Sequence, residues 1–313
     1  MGGASRPPGV REAPSFAGRP STDPRGGGVS EGILFIVGTP IGNLDDLTAR
    51  AEETLKAVDA CYAEDTRRTG RLLARLGISV PLRSLHEHNE QKRVGELLGR
   101  LAAGERIAIA SDAGTPTLSD PGRRVIAEAW LAGHRVVPIP GPSAVPAALS
   151  ASGLPADRFW FAGFPPRKGR AREVWLARVA AMPDTIVVFE APGRLAALLA
   201  EMSARGLGER AGVVCRELTK LHESIRRGTI AGLATVYDGE TVKGEVTLVI
   251  AGGGGTAAGP DEGPDPERLR AAVAELAKEG LSRRAIAARL KERFDLTRNE
   301  AYEWSLEGGR SDD

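Results

Sequence analysis

Cysteine is nearly absent: Cys61 and Cys215 are the only two in 313 residues. They stand far apart, with no C-x-x-C or ligand spacing, which speaks against a disulfide framework or a zinc site and points to a reducing cytosol. Net charge is almost missing too. The 42 Lys and Arg against 41 Asp and Glu leave a formal +1, so any nucleic-acid partner must be met by local basic patches rather than by a global field. No apolar run approaches the roughly 18 residues of a membrane span, and the N-terminus lacks the apolar core of a secretory signal. The expectation is a soluble, cytoplasmic protein.

Several familiar site motifs are also missing. There is no G-x-x-x-x-G-K-[ST], and the first glycine loop reads G-T-P-I-G rather than G-x-G-x-x-G, so neither a P-loop nor a dinucleotide fingerprint is present. A phosphate-poor ligand is favoured. "HEHNE" at 86–90 lacks the second His of H-E-x-x-H, and no metal is expected there.

What is present falls into a tail, a body and an end module. Residues 1–30 are Gly, Pro and Arg with almost nothing to bury, which predicts a disordered tail. A similar stretch at 253–264 reads as a linker before a helical segment, 265–308. In the body, β-branched runs alternate with helical periods, the signature of a parallel sheet with crossover helices. "ILFIV", "ACYAE", "RIAIAS" and "RVVPIP" are the strands of a first α/β domain, 31–152. Asn89 is placed as the N-cap of a helix striped by Val94, Leu97, Leu98 and Leu101, and Asp120 with Pro121 as the start of another. From Gly153 the pattern restarts with "RFWFAGF", "TIVVFE", "GVVCREL" and "GEVTLVI", a second α/β domain over 153–252. Two such domains leave a cleft between them, a preferred place for a small molecule.

Four loops sit at strand C-terminal ends, where open α/β sheets bind ligands: "GTPIGNLDD", "AEDTRRTG", "SDAGTPTLSDPG" and "PGPSAVPA". Glycines allow close approach to the backbone, prolines preset it, and Asp112 and Ser143 offer an acceptor and a hydroxyl. Any one of these could be mere punctuation. In order, and joined by "LHEHNE", "LPADRFWFAGFPP" and "RELTK", they resemble the ribosomal RNA small subunit methyltransferase I family of the tetrapyrrole-methylase-like superfamily, over about residues 33–251 and into the end module.

The resemblance implies two α/β domains with an S-adenosylmethionine cleft between them, a homodimer, and 2'-O-methylation of a cytidine ribose in the decoding region of 16S rRNA, presented naked or in the 30S subunit. It places the cofactor against Thr39 and Pro40, against Asp112, Ala113, Gly114 and Thr115, and against Pro140, Gly141, Pro142, Ser143 and Ala144. Members carry a His after the "TIVVFE"-type strand where this chain has Gly193.

A ribose hydroxyl is a weak nucleophile and needs a base. Glu64 and Asp65 are the catalytic candidates, with loop pinning by an Asp–Arg pair as the competing role of Asp65. Arg67 and Arg68 beside them, and Arg167, Lys168, Arg170 and Arg172 in "PPRKGRAR", are the candidate RNA contacts. In the end module, Asp265 with Pro266, Ser282, and Thr297 with Glu300 are helix-start signals. Three short helices suggest a helix-turn-helix, or else a small structural bundle. Two rivals remain: a tetrapyrrole C-methyltransferase of the same fold, and a DNA-binding regulator with a ligand-sensing body.

Overall fold

The computed structural model describes residues 32–253, 266–294, 296 and 298–307. The tail, nearly all of the linker, Asp265 and Thr297 lie outside the described residues. The first sheet is wholly parallel, ordered β3-β2-β4-β1-β5. Its strands are β1 (Ile33–Val37), β2 (Ala60–Ala63), β3 (Leu82–Ser84), β4 (Arg106–Ala110) and β5 (Arg135–Ile139). Helices α1 (Ala49–Ala57) and α2 (Thr66–Arg75) cover one face, and α3 (Glu90–Ala102) and α4 (Arg123–Leu131) the other. Because both faces are covered, the strands are apolar without alternation: all four residues of β2 are buried.

Helix α5 (Ala144–Ser152) leads into the second domain, and Val145, Ala148 and Leu149 pack on its sheet beside Val187, Val213 and Val249. That sheet comprises β6 (Phe159–Phe161), β7 (Thr185–Glu190), β8 (Ala211–Arg216), β9 (Ser224–Thr229) and β10 (Val246–Ile250), ordered β6-β7-β10-β8-β9. Only β6 and β7 pair in parallel; the other three pairings are antiparallel, which corrects the expectation of parallel strands throughout the body. Helices α6 (Arg170–Ala181), α7 (Leu195–Met202) and α8 (Ile230–Tyr237) cover the far face. The end module is α9 (Pro266–Lys278), α10 (Arg283–Phe294) and α11 (Arg298–Glu307) around its own apolar cluster. The Ser282 hydroxyl accepts from Ala285 N at 3.3 Å, as a cap for α10 should. No described helix is long and apolar enough to cross a membrane. Cys61 and Cys215 are free and buried, and burial pushes their thiols up to about 12 and about 11.

One helix start differs from expectation. Asp120 and Pro121 do not begin α4; the helix opens at Arg123 after Gly122, whose φ of 115° only glycine tolerates well. Asp120 instead accepts from the Ser111 hydroxyl. The orphan N–H groups of α4 go to a carboxylate from another helix: Glu90 Oε1 accepts from Arg124 N at 2.7 Å, Gly122 N at 3.2 Å and Val125 N at 3.4 Å. The "HEHNE" segment is therefore a structural clasp. Asn89 does stand at the N-cap position of α3, but its side chain accepts from His86 N and donates to Ser84 rather than bonding the helix. Replacing Glu90 with Ala should cost about 0.5–2 kcal/mol, the range of a lost cap. Urea unfolding should show it as a lower midpoint at unchanged slope.

Candidate active site

The four loops at the C-terminal edge of the first sheet are interlocked through backbone and side-chain contacts. Thr39 and Gly114 exchange both hydrogen bonds, N to O at 2.9 and 3.0 Å, as an isolated antiparallel bridge between the first and third loops. The Thr39 hydroxyl donates to Ser111 O at 2.9 Å, completely buried. First and fourth loops touch glycine to glycine: a Cβ on Gly38 would lie 2.9 Å from Gly141 Cα, and one on Gly141 equally close to Gly38. Second and third loops are joined by Asp112 Oδ1, which accepts from Asp65 N at 2.8 Å. The third loop also holds Thr117 and Ser119 at φ of 73° and 69°, conformations costly for residues with a Cβ and typical of functional loops.

The first loop reaches the second domain as well. Asn43 N donates to Thr219 Oγ1 at 3.0 Å, and Ile41 joins the apolar seam with α5 and the second sheet. Between the domains lies a cavity of about 390 Å³, a size suited to a small cofactor. Glu64, Asp112 and Asp120 face it from the first domain; Phe164, Phe189 and Glu190 face it from the second. A second cavity of about 290 Å³ shares Ile41, Arg68, Asp112 and Ala113 with it and extends past Thr39 and Pro40 to Arg71 and Arg75 of α2. Among the described residues, no group of three or more His, Cys, Asp or Glu could hold a metal ion.

The cofactor candidates divide into a wall and a backing. Thr39, Pro40, Asp112, Ala113 and Ala144 line the two cavities. Gly114, Thr115, Pro140, Gly141, Pro142 and Ser143 are not among those walls; they hold the wall in place, with the Thr115 hydroxyl 3.4 Å from Pro142 O.

The two carboxylate candidates separate cleanly. Asp65 caps α2 and gives both oxygens to Arg67, at 3.0 Å from Nε and 2.9 Å from Nη2, with Arg67 N at 2.9 Å. The Arg67 hydrogen bonds hold its carboxyl down at about 2. Three accepted hydrogen bonds give Asp65 the geometry of the loop-pinning Asp–Arg pair. Glu64 next to it has the opposite environment. Partial loss of hydration in the cleft raises its pKa first, and the neighbouring Asp120 and Asp112 raise it further, with Arg68 opposing. Asp120 is raised by burial too.

The basic candidates separate similarly. Arg167 and Lys168 are exposed on the loop that enters α6 and Arg170 is exposed at its first position, whereas Arg172 bonds Glu201 at 2.6 Å and Pro166 O at 2.9 Å. Arg172 therefore anchors the arm instead of offering a free charge. Arg67 is exposed but tied to Asp65, and Arg68 lines both cavities.

Sequence reasoning missed the second domain's share of the site. Glu190 is fully buried at the end of β7; Oε1 takes Arg194 Nε and Ala191 N at 2.7 Å each, while Oε2 has no partner. Phe164 and Phe189 stand 5.6 Å apart as an aromatic wall. Such residues carry no local pattern, since an apolar strand reads alike whatever its end faces. Gly193 lies in the short turn after Glu190, and a Cβ there would meet nothing within 4 Å.

Two α/β domains closing on a cleft built from strand-end loops define a class of S-adenosylmethionine-dependent methyltransferases, and the tetrapyrrole (corrin/porphyrin) methylase family matches residues 34–234. The solved uroporphyrin-III C-methyltransferase of Thermus thermophilus shares the fold at TM-score 0.51 and 20% identity, covering 70% of this chain and 94% of that one. Two curated relatives are far more alike in sequence, both called ribosomal RNA small subunit methyltransferase I. The one from Synechocystis is 46% identical over 88% of this chain and 98% of its own length; the one from Vibrio cholerae is 45% identical over 88% and 94%. The chain belongs to the ribosomal RNA small subunit methyltransferase I family.

S-adenosylmethionine is this family's methyl donor, and the cleft suits it: loops locked together at Gly38 and Gly141 behind the wall, an aromatic wall, and no P-loop. Gly141→Ala should push the first and fourth loops apart, at about 1–3 kcal/mol for overpacking, and abolish cofactor binding measured by calorimetry. Gly95→Ala, where a Cβ meets nothing within 4 Å on α3, should leave cofactor affinity unchanged.

Proposed function

We propose that this protein transfers methyl from S-adenosylmethionine to the ribose 2'-oxygen of a cytidine in the decoding region of 16S rRNA, and that Glu64 is the general base. The observation that supports this most is the raised pKa of Glu64 at the mouth of the interdomain cavity, beside a loop built to hold the cofactor. S-adenosylmethionine supplies an electrophilic methyl on sulfur. The 2'-hydroxyl forms the new O–C bond, its proton passes to a Glu64 oxygen, and the electrons of the broken C–S bond stay on sulfur. A carboxylate whose affinity for protons is raised is the better acceptor for this step.

Asp112, by fixing Asp65 N, holds Glu64 and the third loop in one frame. Arg68 at the cavity and the exposed Arg167, Lys168 and Arg170 are the charges that would meet RNA phosphates flanking the target. The same reading has the protein act in the cytoplasm as a homodimer, with Trp130 and Leu131, 62% and 81% exposed at the end of α4, as apolar surface for a second copy. The tetrapyrrole reading shares the fold, yet the curated relatives that carry the higher identity are called rRNA enzymes.

Glu64→Gln should slow single-turnover transfer by about 10²–10⁴-fold while leaving cofactor affinity intact. Stability supplies the cross-check. A carboxylate raised in the folded state binds its proton more tightly there than when unfolded, so its ionisation costs stability as pH rises through the raised pKa. Glu64→Gln should therefore not destabilise the protein at neutral pH, and the acid limb of the rate profile should lie above the ordinary carboxylate range. A variant that unfolds more easily yet transfers methyl normally would make Glu64 structural. Substrate class is read by labelled cofactor offered with 16S rRNA, 30S subunits or a porphyrinogen: label in RNA supports the proposal, and label only in the porphyrinogen overturns it.

A further inference from the structure

The end module has a surface that the cleft does not use. Leu269, Val273, Ile286 and Leu290 close a small core among α9, α10 and α11. Outside that core, α10 and α11 frame a groove of about 750 Å³. Arg283 and Arg284 from the first turn of α10, Lys291 two turns on, and Arg298 and Asn299 at the start of α11 line it, with Tyr302 one turn further. Among the described residues, no carboxylate is in its wall.

The side chains of the four cations are exposed, and none is in an ion pair with a described residue, whereas Arg293 of the same helix is held by Glu275 at 3.1 Å. Alanines 287 and 288 keep the floor low between them, so a chain could approach the helix backbone closely. In a protein whose whole sequence nets only +1, four cations without an ion pair among the described residues make one groove a local anion site. Tyr302 adds a second chemistry. Tyr302 is 54% exposed, while Trp304 packs against the module core. An uncovered aromatic among cations suits an unpaired base on a phosphate chain.

We propose that this groove is a second RNA-binding surface, which holds phosphates of unpaired RNA on Arg283, Arg284, Lys291 and Arg298 and stacks a base on Tyr302. It anchors the RNA whose ribose enters the cleft, and so rests on the function proposed above. The binding is charge-led, so it must release counterions as it forms.

The test uses the full chain with deproteinised 16S rRNA, titrated by fluorescence anisotropy at several salt concentrations. Changing Arg283, Lys291 and Arg298 together to Ala should flatten the log–log salt dependence by about two to three units, each lost phosphate contact contributing roughly 0.7–0.9. Arg283→Lys with Arg298→Lys should keep the slope, which guards against a folding artefact. Tyr302→Ala should weaken binding about fivefold or more, as expected for a lost base stack, and Tyr302→Phe should not. An unchanged slope in the triple Ala variant overturns the groove, as does a preference for duplex DNA of equal length. Labelled-methyl transfer by the unaltered protein is measured alongside. Transfer to rRNA with an unchanged slope removes the groove alone; no transfer to rRNA from a protein whose salt slope does respond removes the proposed reaction alone.

Discussion

The site depends on one kind of contact, backbone pressed against backbone at the edge of a parallel sheet. Gly38 and Gly141 approach so closely that a methyl group on either would collide with the other, and Thr39 and Gly114 pair beside them as a two-residue strand. These contacts join loops far apart in sequence into one rigid rim. Strand-end loops would otherwise be the most mobile parts of an α/β domain. Side-chain bonds from Thr39 and Asp112 complete the rim, and Glu64, Asp112 and Arg68 line the cavity beside it.

Electrostatics then divides the labour within that rim. Neighbouring carboxylates at 64 and 65 shift in opposite directions because one accepts three hydrogen bonds from Arg67 and the other is partly desolvated and faces Asp120 and Asp112. The Asp65 carboxyl is held low, and that of Glu64 is raised. The second domain contributes apolar and aromatic surface, together with Glu190, whose free Oε2 is a buried acceptor at the same cavity.

Much of this was legible in the sequence where one short segment carries the whole signal. Buried strands such as "ILFIV" and "TIVVFE" announce themselves as apolar runs, and glycine and proline mark the loops that follow them. Strand β9, "SIRRGT", escaped because it lies at a sheet edge, mostly exposed, with its cations turned to solvent. The cap of α4 escaped for another reason: its carboxylate, Glu90, is 34 residues from Arg124 and belongs to a different helix. Arg172 was indistinguishable from its neighbours in "PPRKGRAR", since only folding brings Glu201 against it. Interactions that join distant segments have no spacing to read.

In the proposed reaction the cleft delivers methyl to a ribose oxygen rather than to a base or to a macrocycle carbon. Methylation of a 2'-oxygen removes the internal nucleophile that alkali needs to cleave the adjacent 3' phosphodiester. Alkaline hydrolysis of 16S rRNA treated with the protein and S-adenosylmethionine should therefore leave a single protected linkage, following a cytidine. Incorporated methyl with every linkage still cleaved would contradict the account.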